Sequence, residues 1–308
     1  MKHVLSANSP PPSGVPVVRA RATINPLGSY LVLVKPRIVT LVVFTAVVAC
    51  FAASSGQPPA HAVAILILSG ALAAGGAAAL NHYFDRDIDA SMARTRGRPL
   101  AQGDIQRPQL VLAIGIAMIV VGVIAGASLS PLLGFFELLG AIVYAGVYTL
   151  WLKRRTAVNV VVGGVAGSSA VLGGWAAADA SLGAVPWLLA ALVFFWTPAH
   201  FWGLALARSE DYARVGVPML PTTSGARLTA RWTCVHIAAT VALSLLVWSA
   251  AGLGAIYLSL ALVAGVGVLL VGVRLWRQPG PTAGWSVFKF SGPYLGLVFL
   301  GVFLDTLF

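Results

Sequence analysis

Three oxygen-bearing side chains recur at every fourth position near residue 85. At that spacing Asn81, Asp85 and Asp89 lie on one face of a helix. Two carboxylates about 6 Å apart repel by roughly 3 kcal/mol at an effective dielectric near 20, so such a face requires a cation. Mg²⁺ suits it, because Mg²⁺ takes one or two carboxylates and completes its coordination with water and phosphate oxygens. The spacing therefore predicts a magnesium site.

Basic side chains follow this acidic face. Arg94, Arg96 and Arg98 alternate along the chain, and guanidinium groups form bidentate hydrogen bonds with phosphate. Acids, a divalent metal and arginines together indicate a diphosphate substrate. Lys153 and Arg154 lie in a later basic segment, where they either add to this site or act only as charges that set the topology.

The composition indicates that these residues belong to a membrane protein. Of 308 residues, 58% are hydrophobic and only 9% are charged, against about 25% charged in soluble domains. Repeated apolar segments are long enough, as helices, to cross a hydrocarbon core of about 30 Å. The sequence therefore predicts an all-α membrane protein and excludes a soluble one. We predict nine spans, over residues 38–54, 62–82, 109–127, 131–152, 157–178, 186–207, 232–251, 254–273 and 286–307.

The 20 Lys and Arg residues predict the orientation of these spans. All of them lie before the first span, in every second loop, or, for Lys289, in the first turn of the ninth span, and the intervening loops contain none. The positive-inside rule then places the N-terminus in the cytosol and the C-terminus outside. Because the basic residues are dispersed and form no single patch, the net charge of +11 does not indicate nucleic acid as a partner.

The chain divides into a short tail and one membrane domain. Residues 1–29 contain several prolines, three basic residues and no acidic residue, and we predict a flexible cytosolic tail. A start without acids also fits an organellar transit peptide. Residues 30–308 form the transmembrane domain. We expect its two longest connections, 83–108 and 208–231, to be catalytic cytosolic loops, because long loops in compact domains usually carry function.

An ordinary solvated loop is the alternative interpretation of the first acidic segment, with its aspartates paired to neighbouring arginines. The position of Asn81 and Asp85 argues against it, because an apolar helix meets the membrane surface there and polar groups without a role are costly. The second loop contributes two further acids, Glu210 and Asp211.

These motifs resemble a known family. Asn81-x-x-x-Asp85-x-x-x-Asp89, with the arginines that follow, resembles the first aspartate-rich motif of the UbiA-type intramembrane prenyltransferases, and more specifically of their protoheme IX farnesyltransferase (heme O synthase) branch. The resemblance extends from residue 35 to about residue 300. The other segments that carry it are Lys35-Pro36-Arg37, Tyr148–Thr156 with Asn159, Trp196–Trp202, and Asp211-Tyr212 with Pro218–Pro221.

The resemblance implies a reaction and its participants. The farnesyl group of farnesyl diphosphate is transferred to a vinyl group of heme B, and water addition then gives heme O for heme–copper oxidases. It implies Mg²⁺ as the cofactor, the lipid bilayer of the bacterial cytoplasmic membrane as the location, with the mitochondrial inner membrane as the less favoured alternative, and a heme A synthase or terminal oxidase assembly as a partner. The implied catalytic residues are Asp85, Asp89 and Asp211, and the implied substrate-binding residues are Asn81, Arg94, Arg96, Arg98, Lys153, Arg154, Tyr148 and His200.

One motif departs from the family pattern. Many members carry a second Asp-x-x-x-Asp after the sixth span, whereas this chain has Glu210-Asp211-Tyr212. Which of Glu210 and Asp211 binds a second metal is therefore open.

Several residues within the predicted spans have two interpretations. Glu137 is the one acid predicted inside a span, where a structural hydrogen bond or a proton path is favoured over catalysis. Tyr144 and Tyr148 share a face, either in the interfacial aromatic belt or lining the cavity. His200 precedes Asp211 by about three helical turns and either ligates heme iron or hydrogen-bonds a neighbouring helix.

Two other functions fit parts of the sequence. A prenyltransferase that acts on an aromatic quinone precursor would use the same diphosphate site, and only the motifs after the sixth span argue against it. A membrane transporter would place ionisable groups at the bilayer midplane. Apart from Glu137, the charged residues here lie at the edges of the spans.

Overall fold

A computed structural model describes residues 26–308 of the chain. Residues 1–25 of the predicted tail lie outside the described residues, and residues 26–29 form the start of the first helix. The helices are α1 (Pro26–Leu33), α2 (Pro36–Ala53), α3 (Ala60–Phe84), α4 (Arg86–Ser91), α5 (Pro99–Gln102), α6 (Pro108–Leu129), α7 (Pro131–Ala141), α8 (Asn159–Ala176), α9 (Ala184–Ala207), α10 (Ser209–Arg214), α11 (Leu220–Ala251), α12 (Ala255–Arg277) and α13 (Pro281–Leu307). A π-helical segment (Ile142–Leu152) continues α7.

Within residues 26–308, nine helices are long and apolar enough to cross a membrane. They are α2, α3, α6, α7 with its π-helical continuation, α8, α9, α11, α12 and α13. The predicted fold class and number of spans are confirmed. The orientation of the two termini stays a prediction. Successive spans run in opposite directions, so the C-terminal ends of α3, α7 and α9 lie at the same end of the bundle.

Prolines and glycines account for several helix boundaries. Four of the spanning helices begin with a proline, namely α2, α6, α7 and α13. Proline fits the first helical turn because an amide N–H there has no partner within the helix. At the other end of α11, Gly252 adopts a left-handed backbone with φ of 61°, a conformation that glycine adopts without steric cost.

Small residues allow the spans to approach closely. A Cβ atom on Gly76 of α3 would lie 2.5 Å from the carbonyl oxygen of Gly115 on α6, and a Cβ on Gly174 of α8 would lie 2.0 Å from that of Ala46 on α2. Helices in lipid associate largely through such close packing. The contact with α6 fixes the position of α3, whose C-terminal end carries the first acidic motif.

The two long connections are more ordered than the sequence predicted. Helices α4 and α5 occupy much of the first. The second connection is shorter than predicted, because α11 begins at Leu220, twelve residues before the predicted start of the seventh span at 232. Helix α11 contains a break at Gly225 (φ 78°). Residues 220–231 are too polar to be recognised as part of a span. They are helical on both sides of Gly225 nevertheless, because a helix can continue beyond the hydrocarbon core into water.

Candidate active site

The predicted acidic face is present and buried. The amide of Asp85 donates to the carbonyl of Asn81 at 3.0 Å, and the amide of Asp89 donates to the carbonyl of Asp85 at 2.8 Å. Helical hydrogen bonding thus continues across the junction of α3 and α4 and keeps the three side chains on one face. Asn81, Asp85 and Asp89 are exposed by only 4%, 1% and 3%.

Cations from other parts of the chain pair with both carboxylates. The Lys153 ammonium lies 2.5 Å from Asp85 Oδ2, which also accepts a hydrogen bond of 2.8 Å from the Asn81 side-chain amide. The Arg98 guanidinium lies 2.6 Å from Asp89 Oδ2. A buried carboxylate is costly without such partners, so these contacts stabilise two negative charges in a small buried volume.

Lys35 approaches the same face from the turn between α1 and α2. Its ammonium donates to Asn81 Oδ1 and, at 2.9 Å, to the Tyr144 hydroxyl. The Lys35 backbone is left-handed (φ 49°, ψ 61°), which costs a non-glycine residue of order 1 kcal/mol or more. Burial, together with the charges of Arg98 and Lys153, lowers the pKa of Lys35 to about 7. Three cationic side chains this close together favour an anionic ligand.

The π-helical segment positions the side chains opposite this face. The Lys153 amide donates to the Tyr148 carbonyl at 2.8 Å, a hydrogen bond between residues five apart. The Thr149 hydroxyl donates to the Tyr144 carbonyl and accepts from the Asn81 side-chain amide. The rings of Tyr144 and Tyr148 stack with centroids 6.0 Å apart. Tyr144 thus contacts the site directly, and π-helical turns are frequently found at functional sites.

The second acidic segment packs onto the first. Asp211 in α10 is buried and Glu210 is exposed. Tyr212 belongs to the same apolar cluster as Ile88 and Met92 of the first segment. Burial raises the pKa of the Tyr212 hydroxyl, while the charges of Arg94 and Arg98 oppose that rise. The two predicted loops therefore meet at one end of the bundle.

The basic residues of the prediction divide into two groups. Arg98 and Lys153 contact the acidic face, whereas Arg94 and Arg96 are exposed. Arg154 points away from it and binds Asp87 through two hydrogen bonds of 2.8 and 2.7 Å. Those hydrogen bonds lower the pKa of Asp87 to about 2. Arg154 is thus engaged outside the predicted diphosphate site.

His200 belongs to α9, and its side chain faces α13. Its Nδ1 atom is 2.9 Å from the Ser291 hydroxyl. Its ring stacks on Trp196 with a centroid distance of 4.6 Å and contacts the tilted ring of Phe288 at 4.5 Å. His200 therefore forms a hydrogen bond between α9 and α13, as one of its two interpretations predicted. A role as heme ligand would require the other ring nitrogen.

Glu137 also makes a hydrogen bond between helices. It accepts a hydrogen bond of 2.6 Å from the Ser69 hydroxyl of α3, while its second carboxyl oxygen is buried without a partner. The contact fits the structural interpretation and lies outside the acidic face.

The chemistry of the donor set fits Mg²⁺. In residues 26–308 no three His, Cys, Asp or Glu side chains converge on one point. Mg²⁺ requires only one or two protein carboxylates, however, because water and phosphate oxygens supply the remainder. Asp85 Oδ1 is buried and has no hydrogen-bond partner, so it is free to bind a cation. The surrounding donors are carboxylate and amide oxygens, which Mg²⁺ prefers.

Lys35 and Thr149 were not predicted as site residues. Lys35 belongs to Lys35-Pro36-Arg37, one of the segments that carry the family resemblance. Its position at the start of the first span, directly before Pro36, was the available signal. Thr149 gave no comparable signal, because its contact with Asn81 depends on the π-helical geometry and the sequence predicted an ordinary helix there.

Comparison with known proteins defines the class. The UbiA prenyltransferase family matches residues 42–297, so the chain belongs to that family, as the motifs predicted. Among curated relatives, it is 45% identical over 277 residues to the Protoheme IX farnesyltransferase of Alkalilimnicola ehrlichii, covering 90% of this chain and 91% of that protein. It is 41% identical to Protoheme IX farnesyltransferase 1 of Cenarchaeum symbiosum, covering 89% and 94%.

Solved structures share the fold. A structure of Digeranylgeranylglyceryl phosphate synthase matches with a TM-score of 0.74 at 15% identity, over 91% of this chain and 98% of that one. A UbiA homolog from Archaeoglobus fulgidus, bound to GPP and Mg²⁺, matches with a TM-score of 0.62 at 17% identity, over 89% and 99%. At these identities the likeness concerns the fold alone.

Proposed function

We propose that the chain transfers the farnesyl group of farnesyl diphosphate to a vinyl group of heme B, and that water addition then yields heme O. The activity agrees with the names of the relatives, which are 41–45% identical over about 90% of the chain. The observation in the structure that supports it is the buried acidic face with cations on both carboxylates.

The cationic side chains bind the diphosphate. Lys35, Arg98 and Lys153 contact the acidic face. Arg94 and Arg96 are exposed, and we assign them to the outer part of the diphosphate site. As the carbon–oxygen bond to diphosphate breaks, negative charge develops on the leaving group and an allylic carbocation forms. Fixed cations stabilise that charge most in the transition state, which is how electrostatic catalysis lowers a barrier.

The acidic side chains hold the metal. Asn81, Asp85 and Asp89 would bind Mg²⁺ on one side of the diphosphate. Asp211 would bind on the other, since it is buried at the same end of the bundle whereas Glu210 is exposed. Mg²⁺, when bound, neutralises diphosphate charge and so makes it a better leaving group. The Archaeoglobus fulgidus homolog has been solved bound to GPP and Mg²⁺, which supports Mg²⁺ as the metal.

Heme B binds beside the diphosphate within the membrane domain. The Tyr148 ring stacks on Tyr144, whose hydroxyl accepts a hydrogen bond from Lys35 beside the acidic face. We assign Tyr148 to the heme site together with His200 on α9, whose ring lies between Trp196 and Phe288. An apolar surrounding excludes bulk water, which would otherwise capture the carbocation before the vinyl group does. We assign heme contact to His200 through the ring nitrogen that does not face Ser291.

The proposed setting is the bacterial cytoplasmic membrane. Residues 30–308 form the catalytic domain, the N-terminus lies in the cytosol, and the acidic segments face the cytosol, as the distribution of basic residues indicates. Heme O is then delivered to a heme A synthase or a terminal oxidase assembly, which we propose as the partner.

Mass spectrometry of heme tests the reaction. Heme is extracted from membranes of a host that lacks heme O and expresses either this chain or its Asp85→Asn variant. We expect a farnesylated, hydrated heme only with the unaltered chain. Unchanged heme B together with a prenylated aromatic quinone precursor would instead assign the chain to the quinone branch of the family.

A further inference from the structure

A second group of basic side chains lines a cavity away from the acidic face. The cavity lies between the first turns of α11 and the last turn of α12 and has a volume of about 310 Å³. None of its lining residues belongs to the candidate active site. They are Arg227, Ala230, Arg231, Trp276, Arg277 and Pro279.

Within the part of the chain that the structure describes, the three arginines of this cavity form no salt bridge. The salt bridges among residues 26–308 use other cations. All nine acidic residues lie elsewhere in the sequence, and residues 1–25 contain none. By contrast, Arg98 and Lys153 in the active site are each paired with a buried aspartate. Arg227, Arg231 and Arg277 are exposed, so their guanidinium groups are available to an anion from outside the protein.

The cavity lies where lipid headgroups meet acyl chains. On α12 a stripe of exposed apolar residues leads along one face to Arg277, at spacings of three and four residues; the stripe consists of Val263, Val266, Leu270 and Val273. On α11 the exposed Val235 lies one turn beyond Arg231. Such stripes face acyl chains in a membrane. Trp276 is 56% exposed at the end of the stripe, a position typical of interfacial tryptophan.

We propose that this cavity binds the phosphate of an anionic phospholipid. The guanidinium groups of Arg227, Arg231 and Arg277 contact the phosphate oxygens, a pairing that their planar geometry favours. The acyl chains lie along the apolar stripe of α12, and Trp276 packs beside the glycerol. Basic pockets between transmembrane helices are known to bind anionic headgroups in this way.

Thermal unfolding of the purified protein in detergent tests the proposal. A ligand that binds only the folded state raises the apparent Tm as its concentration rises. Dioleoylphosphatidylglycerol should raise the Tm, whereas dioleoylphosphatidylcholine and inorganic phosphate at equal concentration should not. An equal rise with phosphatidylcholine would exclude recognition of the anionic headgroup. An equal rise with inorganic phosphate would exclude a lipid as the source of the anion.

Variants locate the site. Each arginine removed should weaken lipid binding about fivefold, so the triple variant Arg227→Gln/Arg231→Gln/Arg277→Gln should bind about 100-fold more weakly. The matched control is Arg107→Gln, because Arg107 is exposed at the same membrane end but lies outside the cavity. An unchanged response of the triple variant, or an equal loss in the control, would overturn the proposal. Should the triple variant not purify, Arg231→Gln alone must show the fivefold loss.

Native mass spectrometry gives an independent readout. After partial delipidation the unaltered protein should retain one phosphatidylglycerol that the triple variant loses. If the unaltered protein retains heme and the triple variant loses it, the cavity binds heme, and the proposal of a lipid site is contradicted.

Discussion

The two acidic segments differ in how their carboxylates are held. Asp85 and Asp89 pair with Lys153 and Arg98, at 2.5 and 2.6 Å. Asp211 has one contact of 3.5 Å, with Arg214 on its own short helix. The first segment is fixed by partners from elsewhere in the chain as well as by its own helix. Arg214 is 61% exposed, so this ion pair stabilises Asp211 less than the buried pairs stabilise Asp85 and Asp89. The second segment is held instead by the packing of Tyr212 with Ile88 and Met92. We therefore expect charge changes in the first segment to have the larger effects.

The largest expected effect follows from removing charge in the first segment. Asp85→Asn and Asp89→Asn should each lower turnover by at least about 100-fold, because each removes a charged metal ligand without changing its size. Turnover is measured as heme O formed from farnesyl diphosphate and heme B. Asp87→Asn is the matched control: Asp87 lies in the same segment but binds Arg154 at the surface, and we expect less than about a twofold loss there. Equal losses of turnover at Asp85, Asp87 and Asp89 would show that activity does not depend on the buried acidic face.

Two adjacent cations sharpen the comparison. Lys153→Gln should lower turnover about 100-fold, the order seen when one fixed donor to a developing anion is lost. Arg154→Gln should lower it less than about twofold, since the Arg154–Asp87 pair is exposed and exposed pairs contribute at most about 1 kcal/mol to stability.

Stability must be measured alongside turnover in Lys153 variants. Removing the Lys153 ammonium leaves the buried Asp85 carboxylate with one cation fewer, and this lowers the free energy of unfolding. Lys153→Arg keeps the charge and is expected to recover most of the turnover. If the Lys153→Gln variant has the wild-type Tm and the wild-type turnover, Lys153 has no role in the active site.

The second segment predicts a smaller loss. Asp211→Asn should lower turnover about tenfold and raise the Mg²⁺ concentration needed for half-maximal rate, as expected for a weakened metal ligand. Glu210→Gln should leave both within about twofold, because Glu210 is exposed. A larger loss at Glu210 than at Asp211 would reverse the assignment of the second metal ligand.

The sequence allowed the fold and the first segment to be predicted for the same physical reason. Both follow from local periodicity: apolar runs of spanning length gave the number of helices, and the four-residue spacing of Asn81, Asp85 and Asp89 gave one helical face. The predicted start of α11 was wrong because residues 220–231 are polar and carry no apolar signal, although they are helical on both sides of Gly225.

The remaining parts of the site depend on geometry that spacing alone does not specify. The π-helical segment brings Thr149 to Asn81, and nothing in the residue types distinguishes it from an ordinary helix. Lys153 and Arg154 are adjacent and similarly charged, yet only Lys153 reaches the acidic face. The choice between them is made by tertiary packing.

The smallest expected effect is that of a substitution at His200, which should change the binding of heme and not the binding of farnesyl diphosphate. His200→Ala should raise the apparent KM for heme B about fivefold, the equivalent of about 1 kcal/mol for one lost polar contact, while the KM for farnesyl diphosphate stays unchanged. Ser291→Ala is the matched control, because it removes the partner of Nδ1 and leaves the imidazole in place. If His200 contacts heme, Ser291→Ala should leave the heme absorption spectrum intact, whereas His200→Ala should alter it. If the hydrogen bond between α9 and α13 is the whole role of His200, both variants should lower the Tm by similar amounts and neither should change the spectrum or the KM for heme.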